Sequence, residues 1–420
     1  MNTIHNPYQN VDWNAYRPHK TELHCHTRVS DGRADFNEMI EAYYADNYDC
    51  LSITDHGTID RGWVKPNWRY FVRFFQYFCI FVQLIQHIPG LERFIQTHFK
   101  EAPDPEYKLN GLTEERFREI SQGVGRDGRG MLRVPLGTEH SPGGNKLAHV
   151  NSWFCDVHSA AWGRAKYDKA VRTVNKAGGL CIINHPTAAM KNHKHPYHEI
   201  YEGKHSAYAD YVERLLVQYP ALLGIDCFGS NDLKLWDILL QRLAPSGRNV
   251  FNISTSDSHD PQDKWHGVSW VWAMMPQNTA ESLRKCLEDG AFFATGHFTR
   301  FVFSKELQAA HPNLLAALRE ENPKSAHIFH EDNQDIYTHF CVIPRPINAP
   351  RPMVTSITVE NGMISIDAEN CDAITWISNG KIIASGGTIT LAECETLGSY
   401  VRAELWGPGG NLYTQPFLLR

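Results

Sequence analysis

Thr21-Glu22-Leu23-His24-Cys25-His26-Thr27-Arg28-Val29-Ser30-Asp31 opens with polar and apolar residues in alternation, the period of a β-strand. Residues i and i+2 of a strand face the same way, so His24 and His26 present two imidazoles within reach of one cation. Asp31 follows in a Ser-Asp-Gly turn, from which its carboxylate can fold back toward the same spot. Two imidazoles and a carboxylate suit Zn, Mn or Fe. A lone His-x-His also occurs on ordinary surfaces and in hydrogen-bonded cores, so its meaning depends on what recurs downstream.

The next segments set a rhythm. Asp35 to Asn47 predicts a helix, with Phe36, Met39, Ile40 and Tyr43 at 3–4 spacing. Asp49 to Thr54 predicts a strand that ends in Asp55-His56-Gly57. Strand, metal-type residues, helix, strand, metal-type residues is the βαβ order of a parallel sheet or barrel. In such folds chemistry sits at the C-terminal ends of strands, where His26, Asp31 and His56 fall.

The pattern resumes after a long insertion, Asp60 to Gly130. Leu132 to Thr138 is strand-like and leads into Glu139-His140, and Leu147 to Phe154 carries His149. Tyr167 to Ala177 reads as a helix, and Gly179 to Ile183 as an apolar strand ending in Asn184-His185-Pro186. A loop rich in His and Lys follows, from Lys191 to His205. It reads as a solvated loop or as a rim of donors for an anionic substrate. Tyr208 to Tyr219 and Leu233 to Leu243 are helical, the second with Asn231 or Asp232 as N-cap. Leu223 to Phe228 and Val250 to Ser256 are strands, and the latter runs into Asp257-Ser258-His259. Ser269 to Met274 is a last strand and Ala280 to Asp289 a last helix, closed by Gly290. The count, about seven or eight strands mostly alternating with helices, predicts a (β/α) barrel over residues 21–300.

Within the insertion, Tyr70 to Ile88 is mostly aromatic and branched aliphatic and approaches the ~20 residues a membrane span requires. Arg69, Arg73, Gln76, Gln83 and His87 give it a polar stripe, and Pro89-Gly90 ends it. It therefore reads as a helix packed outside the barrel, a lid, an interfacial anchor or a contact between copies in a homo-oligomer, and not as a span. Gly123-Val124-Gly125-Arg126-Asp127-Gly128 matches G-x-G-x-x-G, but it follows no strand and precedes no helix, so a dinucleotide site is rejected.

Residues 301–350 form an irregular linker, with prolines at 344, 346 and 350. Residues 351–420 change character to short alternating runs, with Asn361-Gly362 and Asn379-Gly380 between them. Asn-Gly between apolar alternations signals tight hairpins. A small all-β, sandwich-like domain is expected there, for packing or for shielding the substrate, and residues 1–20 form a separate N-terminal segment.

The bulk properties narrow the class. A formal net charge of −6 over 420 residues gives no reason to expect nucleic acid or an anionic membrane as partner. Met1 to Lys20 lacks the apolar core of a secretory signal. The ten cysteines include no Cys-x-x-Cys, and Cys25, Cys50, Cys155, Cys181 and Cys227 lie in apolar runs, as buried thiols of a reducing compartment do. A cytoplasmic enzyme acting on a small molecule is expected.

Gathered from the strand ends, His24, His26, Asp31, His56, Glu139, His149, His185, Asp257 and His259 are six imidazoles and three carboxylates on one rim. Clustering so many without cations would carry a heavy desolvation cost, so a polynuclear metal site is expected. The order of these motifs resembles the PHP superfamily, named for its polymerase and histidinol phosphatase members, over residues 21–300. The resemblance implies a distorted (β/α)7 barrel with two or three divalent metals in its mouth. It implies a first metal on His24, His26, Glu139 and Asp257. Glu139 would bridge to a second, completed by His149 and His185, and Asp31, His56 and His259 would hold a third. Some members have His in place of Asp31. The tail, with Ser399-Tyr400-Val401-Arg402-Ala403-Glu404-Leu405 and Gln415-Pro416-Phe417, is similar to that of a branch named after carbaryl hydrolases; the aromatic insertion is outside the common pattern.

Paired metals would clamp the attacking and leaving oxygens of an in-line displacement and generate hydroxide from water at neutral pH, so hydrolysis of a phosphate monoester or diester is the leading expectation. Asp55 is the remaining catalytic candidate, more as an orienting group than as a base. Arg28, Lys191, His193 and Arg300 are candidates for contacts to an anionic substrate. Hydrolysis of a carbamate or carboxylic ester by the same metals is the alternative within enzymes, and a non-catalytic, metal-holding interaction module the alternative outside them.

Overall fold

The computed structural model describes residues 3–65, 110–140, 149–157, 167–186, 207–299 and 349–420, apart from positions 228, 264 and 297, with a few isolated positions between 300 and 348. The aromatic run of the insertion, most of the linker and the His- and Lys-rich loop lie outside the described residues. Among those described, no helix is long and apolar enough to cross a membrane.

The chain lays down β1 (Arg17–Cys25), α1 (Phe36–Ala45), β2 (Cys50–Ile53), α2 (Glu114–Gln122) and β3 (Leu132–Arg133). Then come β4 (Thr138–His140), β5 (Val150–Trp153), α3 (Tyr167–Lys176), β6 (Leu180–Ile183), α4 (Ala207–Gln218), β7 (Leu222–Ile225), α5 (Ser230–Leu243) and β8 (Phe251–Asn252). β9 (Val271–Met275), α6 (Ala280–Asp289) and β10 (Phe292–Gly296) complete this part. Local chemistry explains the helix ends. Glu38 accepts the Asp35 N–H at 2.7 Å ahead of α1, whose buried face is Phe36, Met39, Ile40, Tyr43 and Tyr44. Thr279 accepts the Ser282 N–H at the start of α6, and Gly290 caps its end at φ 74°. α5 begins a turn earlier than its Asn231 or Asp232 cap predicts: Gly229 is the N-cap, and Asp232 reaches back to its N–H at 2.8 Å.

Among the described residues the strands of the expected (β/α) barrel do not join in one continuous closed ladder. Among the described residues there are two main sheets. One runs β9–β1–β2–β3, with β1–β2 and β2–β3 parallel; the other runs β4–β5–β6–β7–β8, with β5 antiparallel to both neighbours. Only two single bridges join them, Cys25 to Ser258 and His56 to Glu139. Both seams have a physical cause. At the first, the side chain of Glu22 occupies the backbone donors that a ladder would use. Its Oε1 accepts from the N–H groups of Leu23, His24 and Ser256 at 3.1, 3.0 and 3.3 Å, and its Oε2 from the Ser256 hydroxyl at 2.6 Å. At the second, the strand expected over Leu132 to Thr138 breaks at Pro135 and at Leu136, which sits at φ 61°. Pro cannot donate and a positive φ leaves the strand region, so β3 stays with β2 while β4 starts the other sheet. Gly137 lets that second sheet pass close, since a Cβ there would lie 2.2 Å from Ser52 Oγ.

The tail contains β11 (Met353–Glu360), β12 (Met363–Glu369), β13 (Ala373–Ser378), β14 (Lys381–Ser385), β15 (Thr388–Thr390), β16 (Tyr400–Gly407), β17 (Gly410–Tyr413) and β18 (Phe417–Leu419). Asn361-Gly362 joins β11 to β12 and Asn379-Gly380 joins β13 to β14, with positive φ at all four residues. That is the backbone the right-handed twist of a two-residue hairpin requires. β11, β12 and β15 form a small sheet of their own, whereas β17 pairs with β10, so the β9–β1–β2–β3 sheet runs on into β17 and β16.

A buried ion pair reinforces this connection. Arg402 on β16 donates through Nε and Nη2 to the two oxygens of Asp237 on α5 at 2.8 and 2.6 Å, and both side chains are essentially unexposed. Tyr400 OH adds a third donor at 2.8 Å. Asp237→Ala should therefore destabilise the protein by about 3–5 kcal/mol, the usual effect of leaving one buried charge without its partner. The Asp237→Leu/Arg402→Met double variant should recover most of it. Urea unfolding midpoints of the three proteins measure both effects.

Candidate metal centre

The two sheets present their site-bearing ends to one rim. His24 is the penultimate residue of β1 and His26 follows the strand; Asp55 and His56 follow β2; His185 follows β6; Asp257 and His259 lie beyond β8. Glu139 lies inside β4, not after a strand. Because β5 runs antiparallel, His149 reaches the same rim by preceding its strand. The Thr27–Gly32 turn folds Asp31 back as expected: Ser30 and Gly32 donate to Thr27 O at 3.0 Å each, and a Cβ on Gly32 would clash with the His26 backbone at 2.7 Å.

All nine residues converge. His24 Nε2 lies 3.0 Å from His26 Nε2, 3.1 Å from Asp257 Oδ1 and 3.5 Å from Glu139 Oε2, while His26 Nε2 lies 3.2 Å from each of those oxygens. Donors ~2.0–2.2 Å from a tetrahedral Zn2+ stand roughly 3.3–3.6 Å apart, so these atoms, 3.0–3.5 Å apart, stand slightly tighter than a shared cation would hold them. Glu139 divides its two oxygens. Oε2 also faces His56 Nδ1 at 2.8 Å, and Oε1 faces His149 Nδ1 at 2.9 Å and His185 Nε2 at 3.8 Å. Asp31 is reached by His56 Nε2 and His259 Nε2, both at 3.4 Å, and by His26 Nδ1 at 3.6 Å. Four triplets result: His24–His26–Asp257, His26–Asp31–His259, His26–His56–Glu139 and Glu139–His149–His185. The implied third set is thus strung along Asp31, with His26 sharing its triplet.

The fit to divalent cations rests on one buried atom. Glu139 Oε2 has no hydrogen bond among the described residues although three imidazole nitrogens lie within 3.5 Å. Nitrogens crowded against a buried carboxylate oxygen at angles unsuited to hydrogen bonding are arranged as ligands are around an ion. Backbone strain points the same way. His185 and Asp257 adopt φ of 28° and 48°, a left-handed region that costs non-glycine residues ~1–3 kcal/mol and persists where surroundings impose it.

Charge at the rim is tightly balanced. Burial alone would push the Glu139 carboxyl up, but His56, His149 and His24 hold it well below its ordinary range. Asp257 is likewise held down against burial by His24 and His26, and Asp31 by His259 and His56. In return, and against burial, Asp257 and Glu139 raise His26 well above an ordinary imidazole, and Glu139 and Asp31 raise His56 to about 10. Burial lowers His185 to about 4, so it offers a neutral imidazole. A divalent cation replaces such protons on binding.

The supporting residues were less legible in the sequence. Asp55 is buried and accepts from Thr27 N at 2.8 Å, Thr27 Oγ1 at 2.7 Å and Ser30 Oγ at 2.6 Å, and Ser30 Oγ lies 3.2 Å from His26 Nδ1. Asp226, Thr255 and Glu22 are not among the sequence-predicted site residues. Asp226 is an acidic residue at the end of an apolar strand, a signal of the same kind as Asp257. Burial pushes the carboxyls of both Asp55 and Asp226 up; a cation in the cluster acts in the opposite sense. His140, next to Glu139, turns away to Ser152 Oγ at 2.8 Å. Arg28 is exposed, its guanidinium donating to Arg33 O. Lys191, His193 and Arg300 lie outside the described residues.

No protein-family model and no curated protein matches the sequence. Among solved structures, the chain is similar to a two-domain protein from Bacteroides vulgatus containing a predicted PHP-like metal-dependent phosphoesterase, with 15% identity over 97% of this chain and 96% of that one and a TM-score of 0.42. It is similar to an amidohydrolase from Chromobacterium violaceum, with 14% identity over 58% of this chain and 88% of that one and a TM-score of 0.29. These are loose likenesses, and the chemistry of the rim rests on its own residues.

Because Glu139 faces both groups of imidazoles, Glu139→Gln should disturb more than one cation position. Zn2+ or Mn2+ added to chelator-treated protein at 100 times its Kd should stabilise the fold by about 2.7 kcal/mol, seen as a rise in thermal midpoint. Glu139→Gln should lose most of that rise. Equal rises in both proteins would show that Glu139 holds no cation.

Proposed function

We propose that this chain is a metal-dependent hydrolase of the PHP type that cleaves a small phosphate monoester or diester. The observation that carries the reading is the division of the Glu139 carboxylate, one oxygen toward His24, His26 and His56 and the other toward His149 and His185. Divalent cations bound there would supply charge to neutralise a phosphoryl group and acidity to make a nucleophile of water at neutral pH.

The chain's own residues then have separate duties. His24, His26, Asp257 and Glu139 would hold one cation, and Glu139, His149 and His185 a second. Asp31, His56 and His259, with His26 beside them, would hold a third. Asp31 is 55% exposed, so the third position opens to solvent and is where an anionic substrate would arrive. Asp55 spends its oxygens on the Thr27–Ser30 turn, which supports a positioning role. Arg28 on that turn, with Lys191, His193 and Arg300, is proposed to meet the anion.

The cyclic order in which β1, β2 and β4 to β8 meet, through two single bridges, supports reading them as a distorted seven-stranded barrel opened at two seams. Residues 351–420 as a separate domain, a contact between copies through the aromatic insertion, and a cytoplasmic location belong to the same proposal. Eight described cysteines are free thiols, six of them buried, which agrees with a reducing compartment. The narrower placement beside the carbaryl hydrolases rests on the tail sequence alone.

The test is metal analysis of the purified protein, followed by phosphate release from panels of monoesters and diesters after chelation and after Mn2+ or Zn2+ restoration. Activity should vanish and return. His24→Ala and Asp257→Ala should each lose metal and activity together, by more than the roughly 100-fold seen for residues that only orient a ligand. Release of alcohol and carbamate or acid from acyl esters, without phosphate release, would replace the phosphoesterase reading with an esterase one. Full metal occupancy without turnover on either panel would leave a metal-holding module.

A further inference from the structure

The two histidines that open the site are supported in the same way from opposite sides. Behind His26, Ser30 Oγ lies 3.2 Å from Nδ1 and donates to Asp55 Oδ1 at 2.6 Å. Behind His24, Thr255 Oγ1 lies 3.5 Å from Nδ1 and donates to Asp226 Oδ2 at 2.9 Å, while the Thr255 N–H binds Asp226 Oδ1 at 3.3 Å. Asp55 and Asp226 come from two different sheets, at the ends of β2 and β7, and all six side chains are buried. A hydroxyl that gives its proton to a carboxylate turns its lone pairs to its other neighbour. That neighbour is Nδ1 in each histidine, so Nδ1 carries a proton and Nε2 is the nitrogen left to a cation, which displaces any proton held there. These Nε2 atoms are the two that stand 3.0 Å apart and face Glu139 Oε2 and Asp257 Oδ1.

We infer that Ser30–Asp55 and Thr255–Asp226 are paired hydroxyl–carboxylate relays that lock His26 and His24 in the tautomer whose Nε2 binds a cation, which makes Ser30, Thr255 and Asp226 positioning residues of the metal centre. The inference rests on the metal-centre reading above. Its physical basis is that the partner of a ligand's second ring nitrogen sets both the tautomer and the ring orientation. The length of the Thr255 contact is consistent with a link that tightens when His24 is drawn onto a cation.

Chelator-treated full-length protein is titrated with Co2+, followed by visible absorption, and with Zn2+ in competition with a chromophoric chelator. Circular dichroism and thermal melts establish that each variant folds. Ser30→Ala and Thr255→Val should each weaken the tightest Zn2+ equivalent by about 10–100-fold, as loss of a ligand's hydrogen-bond partner does, and should alter the Co2+ band shape. Thr255→Ser should restore wild-type affinity and spectrum. If Thr255→Val does not fold, Asp226→Asn tests the same relay at constant volume, with the same weakening expected. Wild-type binding with unchanged affinity in the variants overturns the relays and leaves the metal centre standing, as does failure of Thr255→Ser to restore binding. A wild-type protein that binds neither metal overturns both.

Discussion

Three carboxylates and six imidazoles on one rim are a problem in electrostatics before they are a catalytic site. Glu139 is fully buried, and a buried carboxylate is tolerated only when positive charge or donors surround it. Here the surrounding groups are imidazoles drawn from several strands and loops of two sheets. No single element could supply them, because a strand gives one face only every second residue. The convergence of the sheets is therefore also the condition for keeping Glu139 ionised. The same geometry that answers the charge problem builds a cradle for divalent cations.

The architecture bends to that requirement. A closed ladder between β1 and β8 would use the N–H groups of His24 and Ser256, and Glu22 takes both. Burial pushes the Glu22 carboxyl up to about 7, with Ser256 and the His24 N–H opposing the rise. The chain between β8 and His259 is thus free to place Asp257 in a left-handed conformation that a regular strand forbids. At the other seam, Leu136 performs a similar release, and Glu139 can enter the rim within a strand of the second sheet. The irregular seams lie beside the site residues, although Glu139 itself sits in the regular β4–β5 ladder.

The tail contributes stiffness. β17 lies against β10, and Arg402 binds Asp237 across to α5, so the strands after residue 399 brace both the first sheet and a helix that follows β7. Asp226 stands at the end of β7. A brace on this helix limits how far that carboxylate can drift from Thr255 and His24, which links packing remote from the rim to the aim of an imidazole.

The sequence alone determined which residues stand as candidates for one rim. His-x-His, Asp-His and Asp-x-His follow apolar runs, and a period of two or 3.6 residues is a local property that survives without coordinates. The hairpins at Asn361-Gly362 and Asn379-Gly380 were legible for the same reason, since a positive φ at both positions selects those residue types. The tertiary structure alone decided how the strands meet, that β5 runs backwards so that His149 comes before its strand, and that Glu22, Ser30, Thr255 and Asp226 stand behind the side chains of the rim. Those features depend on donors and acceptors that face each other across separations of up to 234 residues, as from Glu22 to Ser256. Hydrogen bonds of that kind leave no periodic trace in the chain, because nothing about Thr255 or Asp226 in isolation says which ring nitrogen it will face.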